Sequence, residues 1–168
     1  MILDIEIRAE TSSDTTAIGA LTTLAFATAA HSSGTEAAIV DALRQAGVLT
    51  LSLVAETGGE LVGHVAFSPI TVGAAAAGWF GLGPVSVRPD RQRCGIGSAL
   101  IRTGLERLRQ MDAAGCILVG DGNYYRRFGF ENDPAIHHAG VPPEYLFALR
   151  FGEERPSGEV RFHAAFGV

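Results

Sequence analysis

The chain contains no lysine; all 13 of its basic residues are arginine. That absence excludes a Walker phosphate loop, which needs a lysine behind its glycines. Cysteine is scarce, and Cys94 and Cys116 offer neither a disulfide framework nor the spacing of a metal site. The tandem His137-His138 has no metal-ligand company nearby and reads as a surface loop. Charged residues make up only 18% of the chain, and a net charge of −5 disfavours a nucleic-acid partner. Asp4, Glu6 and Arg8 are unlike a secretory leader. The stretch Val65–Val87 is uncharged for 23 residues, long enough to raise the question of a membrane span. Pro69, Pro84 and four glycines interrupt it, so it reads as two strands joined by a small-residue turn at Gly73–Gly78. The expectation is a cytoplasmic protein with no membrane partner, acting as a monomer or homodimer.

What is present suits one folded unit. A length of 168 residues, 47% of them hydrophobic, with mean hydropathy +0.22, fits a single domain over 1–168 with its own core. Leu3–Arg8 alternates as a strand. Asp14 is expected to cap a helix running to about Ala29, with Ile18, Leu21, Leu24 and Ala25 on its apolar face. A second helix starts at Thr35-Glu36, buries Ile39, Val40 and Leu43, and stops at Gly47. Leu49–Ala55 and Leu61–Ser68 form a hairpin around Glu56-Thr57-Gly58-Gly59-Glu60. Trp79–Val87 is the fourth strand, and Gly95–Met111 is a helix with Leu100, Ile101, Leu105, Leu108 and Met111 inside. Cys116–Val119 reads as a buried parallel fifth strand. A short helix covers Asn123–Phe128, and Tyr145–Phe151 with Val160–Phe166 reads as a final hairpin. The order β-α-α-β-β-β-α-β-α-β-β is α/β.

The most informative segment is Val85-Ser86-Val87-Arg88-Pro89-Asp90-Arg91-Gln92-Arg93-Cys94-Gly95-Ile96-Gly97-Ser98. A strand enters an arginine-rich turn, a Gly-x-Gly follows, and a helix opens at once. The glycines allow close backbone approach, and the first N–H groups of the helix lack partners within it, which suits an anion such as phosphate. Arg88, Arg91 and Arg93 add positive charge there. A dinucleotide fingerprint fails, because its third small residue falls on Leu100 and seven residues separate the strand from the glycines.

Gln92-Arg93-Cys94-Gly95-Ile96-Gly97 resembles the Gln/Arg-x-x-Gly-x-Gly/Ala acyl-coenzyme A loop of the GNAT superfamily of N-acyltransferases. Downstream, Asn123-Tyr124-Tyr125-Arg126-Arg127-Phe128-Gly129-Phe130 resembles that family's aromatic-Tyr-x-x-Phe-Gly-Phe box. The two motifs stand in the family's order, and the resemblance covers roughly Ile5 to Phe130. With Gly63-His64 and Phe67-Ser68-Pro69, the pattern is most similar to the YhbS-like acetyltransferases. It implies the GNAT fold, a mixed central sheet flanked by helices, with the fourth and fifth strands parallel and splayed.

The resemblance implies acetyl-CoA as acyl donor, a small-molecule or protein amine as acceptor, and no metal. It places the donor against the backbone of Val85, Ser86 and Val87, in the turn Gln92, Arg93, Cys94, Gly95, Ile96, Gly97 and Ser98, and beside Asn123 and Tyr125. Tyr125 takes the position of the family's tyrosine beside the coenzyme sulfur. Only Gly120-Asp121-Gly122-Asn123 separates the fifth strand from the tyrosines, fewer residues than the family usually has. The base that takes the amine's proton is open between Asp121, at the end of a parallel strand, and His64, on the inward face of the third strand. A water relay is the third option. An Asp-Gly turn cap and a hydrogen-bonded interior histidine are the structural alternatives for those residues. His31, between the first two helices, is a lesser candidate, and Glu36 and Glu56 read as solvated. The expected activity is direct acetyl transfer to a primary amine; a non-catalytic acyl-CoA sensor or scaffold is the alternative.

Overall fold

The computed structural model describes residues 4–29, 32–75 and 77–167. Two compact units emerge, Met1–Phe67 with Gly83–Gly104, and Ser68–Leu82 with Leu105–Val168.

In the first unit, β1 (Glu6–Ala9) pairs antiparallel with β2 (Leu51–Thr57), and β2 with β3 (Glu60–Pro69). The β2–β3 turn closes on two residues, Gly58 and Gly59, both at positive φ. Glycine is needed at both positions in a turn that matches the twist of its strands. The C-terminal half of β5 (Trp79–Val87) lies beside β3, with the Arg88 N–H on the Val62 carbonyl at 2.9 Å. Two helices, α1 (Thr15–Phe26) and α2 (Glu36–Gln45), cover one face of β2 and β3, where Ile18, Val40 and Val54 meet. On the other face the start of α3 (Ile96–Gln110) packs tightly: a Cβ at Gly63 would strike Ile96 and Leu100.

In the second unit, Trp79–Gly81 of β5 pairs in parallel with Gly115–Ile117 of β6 (Gly115–Val119). On its other side β6 pairs antiparallel with β8 (Leu146–Arg150). The sheet is therefore mixed, and its parallel ladder is three pairs long. Shortly beyond it in β5 stands Pro84, which has no N–H to give a partner. A second sheet joins β4 (Thr71–Val72), β9 (Gly158–Arg161) and β7 (Ile136–His137) in the order β4-β9-β7. Trp79, Ile117, Leu146 and Val160 lie in this unit's core.

Several expectations need correction. Residues 146–150 and 158–161 do not form a hairpin, because β8 joins β6 while β9 joins β4 and β7. His137 belongs to a strand, and His138 rests against the Phe162 ring. Leu24 and Met111 are exposed, at 52% and 49%. Asp14 directly precedes α1, but its carboxylate accepts from the Thr11 N–H and pairs with Arg8 rather than capping the helix. Glu36 is buried and accepts from Ser32, Ser33 and the Thr35 N–H. Glu56 lies in β2, half-buried and paired with Arg8. His31 lies outside the described residues. Among the described residues, no helix is long and apolar enough to cross a membrane.

Candidate active site

The turn before α3 is built from local constraints. Pro89–Arg91 makes one turn of 3-10 helix, and Gln92 returns to extended backbone, where its amide donates to the Val87 carbonyl at 3.1 Å. Arg93 follows at φ 63° and Gly95 at φ 87°. The left-handed region is unusual for a long side chain such as arginine. The Cβ position of Gly95 faces open space. Gln92, Arg93, Cys94 and Gly95 are exposed, Gly97 and Ser98 half-buried, and Ile96 anchors the helix start in the core.

The three arginines separate. Arg88 is committed to Asp90 and Glu60, at 2.7 and 2.9 Å, so it is not available to a ligand as the sequence suggested. No ion pair engages Arg91 or Arg93 among the described residues. Val85 and Val87 are half-buried in β5, while the buried Ser86 hydroxyl donates to Thr22 of α1 at 3.4 Å. A cavity of about 430 Å³ lies alongside α1, edged by Arg88 and by none of the residues 92–98. Its carboxylates Asp14, Glu56 and Glu60 are all paired with Arg8 or Arg88, so we assign it no ligand.

His64 is fully buried on β3, directly opposite Val54 and hence on the face covered by α1 and α2. Its Nε2 lies 2.7 Å from the Ser52 hydroxyl, and its Nδ1 has no partner. A buried polar atom left unpaired costs about 1–3 kcal/mol. Burial pushes the imidazole down to about 4, with Arg44 adding to the shift and Glu10 opposing it. His64 is therefore neutral at physiological pH.

In the second unit, Asp121 caps α4 (Gly122–Tyr125), its Oδ1 accepting from the Asn123 N–H at 2.9 Å. Its carbonyl accepts from the Tyr124 and Tyr125 N–H groups, both at 3.1 Å. The helix lasts one turn, continues as 3-10 helix over Arg126–Phe128, and ends at Gly129 with φ 97°. The Tyr125 ring lies against Gly120, where any Cβ would strike it, and meets Tyr124, Phe128 and Phe130 at 5.0–6.4 Å. Burial pushes its phenol up to about 12, helped by Tyr124 and Cys116. Burial also pushes the Cys116 thiol up, so it is no activated nucleophile. Asn123 is exposed on the same turn. Among the described residues, no group of three or more His, Cys, Asp or Glu could hold a metal ion.

Sequence reasoning missed Ser52, which bonds His64, and Glu10 and Arg44, which stand behind Ser52. The period-two alternation that put His64 inside carries no information about residues on neighbouring elements.

A mixed sheet with a short parallel β5–β6 ladder, and an arginine-rich turn that opens α3, are features of a GNAT acyltransferase. Residues 19–130 match the model of the acetyltransferase (GNAT) family, and the chain belongs to that family. It is 38% identical over 133 residues to the uncharacterized N-acetyltransferase YhbS of Escherichia coli K12, covering 79% of this chain and 75% of the relative. The crystal structure of YhbS from E. coli in complex with CoA superposes with TM-score 0.90 at 31% identity, covering 100% of this chain and 94% of that one. A GNAT family acetyltransferase from Brucella melitensis, in complex with acetyl-CoA, superposes with TM-score 0.87 at 49% identity, covering 98% and 99%.

Proposed function

We propose that residues 1–168 act as one acetyltransferase domain that moves an acetyl group from acetyl-CoA to a primary amine by direct transfer. The observation that carries this reading is the turn Gln92–Ser98. It combines exposed backbone at positive φ, an open Gly95 and two arginines that no ion pair engages among the described residues, at the start of a 15-residue helix. Those features fit a pyrophosphate, and two relatives over 30% identical were crystallised with acetyl-CoA or CoA. When bound, acetyl-CoA supplies an activated thioester carbonyl. Gln92, Arg93, Cys94, Gly95, Ile96, Gly97 and Ser98 hold the phosphates. The backbone of Val85, Ser86 and Val87 binds the pantetheine arm, with the Val87 carbonyl shared with Gln92, and Asn123 adds a further polar contact.

Tyr125 serves as hydrogen-bond donor to the departing thiolate. At about 12, its phenol is too weak an acid to protonate a thiol near ~8.5 outright, a gap of roughly 5 kcal/mol. It stays a donor across the working pH range, and a donor aimed at developing charge in a dry site is effective. For the amine's proton, His64 has an unused buried lone pair, whereas Asp121 spends one oxygen on the first turn of α4. The acceptors for that proton are Asp121, His64 and a water relay, and Asp121 also holds the turn that carries Tyr125. An imidazole near 4 cannot deprotonate a resting ammonium of ~10.4. The amine therefore reacts in its neutral form and gives up its proton as the N–C bond forms and the nitrogen becomes acidic. Cys94 lies in the phosphate turn and Cys116 is buried, which supports direct transfer over an acyl-cysteine. The exposed Cys94 thiol suits a reducing, cytoplasmic compartment.

The test is thiol release from acetyl-CoA across a panel of amines, with the acetylated product identified by mass. Amine-dependent release supports the enzyme. CoA binding with no release on any amine supports a sensor or scaffold instead.

A further inference from the structure

α4 is a single turn, and a turn of that length does not hold its own shape in water. Where the Tyr125 hydroxyl points depends on how α4 is set against Gly120, the residue its ring lies on. Both are fastened to one segment of the second unit, residues 143–147. Gly120 is tied directly, its N–H donating to the Tyr145 carbonyl at 2.9 Å.

The helix is tied through side chains. Arg126, directly after Tyr125, donates through Nη2 to Asn132 Oδ1 at 2.8 Å, and its guanidinium lies 5.2 Å from the centre of the Phe147 ring. Gly122 fits against the same pair: a Cβ there would come within 2.8 Å of Phe147 and 3.0 Å of Arg126. Asn132 passes the grip on. Its NH₂ group donates to the carbonyls of Leu146, Pro143 and Glu144, at 2.9, 3.1 and 3.3 Å. Leu146 and Phe147 stand opposite Val119 and Leu118 of β6, the strand that leads into Gly120.

The chemistry at position 132 demands an amide. Arg126 can only donate and the three carbonyls can only accept, so the side chain must offer an oxygen on one side and an NH₂ on the other. A carboxylate would serve Arg126 but turn its second oxygen toward the carbonyls. Arg126 and Asn132 are both exposed. Holding them in place costs side-chain freedom, and contacts at the surface add little to global stability. What these contacts set is the orientation of α4.

We propose that Arg126 and Asn132 are positioning residues that clamp α4 to the segment 143–147 and so aim the Tyr125 hydroxyl. The inference rests on the reading of Tyr125 as donor to the departing thiolate for its purpose, but not for the clamp itself.

The test has one arm without substrate and one with it. The Tyr125 and Arg126 N–H groups bond the Asp121 and Gly122 carbonyls. In Arg126→Met, Asn132→Ala and Asn132→Asp, their protection from hydrogen exchange should fall about tenfold or more by NMR. Asn132→Asp keeps a partner for Arg126 and loses only the carbonyls, so a loss matching that of Asn132→Ala shows that the grip reaches 143–147. The Tyr125 phenol, read by its ¹³Cζ resonance, should titrate below the wild-type value of about 12 as the ring gains water. Melting temperatures should stay within a few degrees of the wild type.

With an authenticated amine, Arg126→Met should lower kcat about 10–100-fold, the scale of a small misplacement of a reacting group. The KM for acetyl-CoA should stay unchanged. In a Tyr125→Phe background the same substitution should cost less than about twofold, because no hydroxyl is left to aim. Wild-type exchange and a wild-type phenol titration in Arg126→Met overturn the proposal, whatever the substrate proves to be. So does an equal loss of kcat in both backgrounds, or a loss confined to KM. A failed amine panel beside the expected exchange and titration counts against the acetyl-transfer reading alone and leaves the clamp standing.

Discussion

The turn opening α3 and the interior around His64 handle polar groups in opposite ways. In the turn, Gln92–Gly95 is exposed, and Arg91 and Arg93 lie outside any ion pair among the described residues. Around His64, Arg44, Glu10, Ser52 and the ring are bonded in series, and His64 Nδ1 has no partner among the described residues. An anion arriving from water is met by donors already hydrated, which cost little to leave waiting. A polar group in a dry interior must be paired in advance, because an unpaired buried group is expensive. Tyr125, half-buried in the second unit, also has its phenol kept protonated by burial.

The largest effect is expected at Tyr125. Tyr125→Phe keeps the ring contacts and removes the hydroxyl, and turnover should fall by about 10²–10⁴-fold with CoA affinity unchanged. Tyr124→Phe is the control and should cost little; a reversal of the two would show that the short α4 presents the other tyrosine. Steady-state kinetics with isothermal titration separates the outcomes.

On the open side, Gly97→Val should abolish the stabilisation by CoA, roughly 2.7 kcal/mol at 100 times the dissociation constant. Thermal melts with and without CoA measure it, and an undiminished shift would move the phosphates elsewhere.

Acid should distinguish the two regions as well. The folded-state value for His64, about 4, lies below its ordinary 6.5, so the unfolded chain binds more protons between these values. Stability should therefore fall as pH drops from about 6.5 to 4, by up to roughly 3 kcal/mol. His64→Gln should flatten that window. The losses below it, where Asp14 and Glu10 are protonated, should persist, since both carboxyls are held below their usual range. Denaturant titrations across pH would show an unchanged slope if His64 were not the titrating group.

The smallest effect separates neighbours in one turn. Arg93→Ala should weaken CoA binding about tenfold at low salt, and Arg88→Ala should barely change it. Equal losses would mean that Arg88 leaves Asp90 and Glu60 when the ligand binds.

How far each region was legible in the sequence follows from the range of its contacts. The turn is local: its glycines, its arginines and the helix behind them lie within a dozen residues, and they stand where the pattern put them. Even there, the commitment of Arg88 to Glu60 was hidden, because that partner lies 28 positions away. Alternation placed His64 inside, but its partner Ser52 comes from another strand, and Glu10 and Arg44 behind Ser52 from two further segments. Helical periodicity put Leu24 on the buried face, yet cannot say how far the sheet beneath extends. The hairpin misreading at the C-terminus has the same origin. Two alternating runs separated by a turn look paired, while Glu154 between them bonds the Trp79 indole at 2.7 Å and the strands on either side join different sheets.

The claim at the centre of the account is that the turn Gln92–Ser98 reads the phosphates of an acyl-CoA. It is tested most directly by the melting temperature in CoA, NAD and ATP at matched concentrations. CoA should raise it well above the other two, because only CoA adds a pantetheine arm to bind along β5. Equal stabilisation by CoA and NAD would contradict the account.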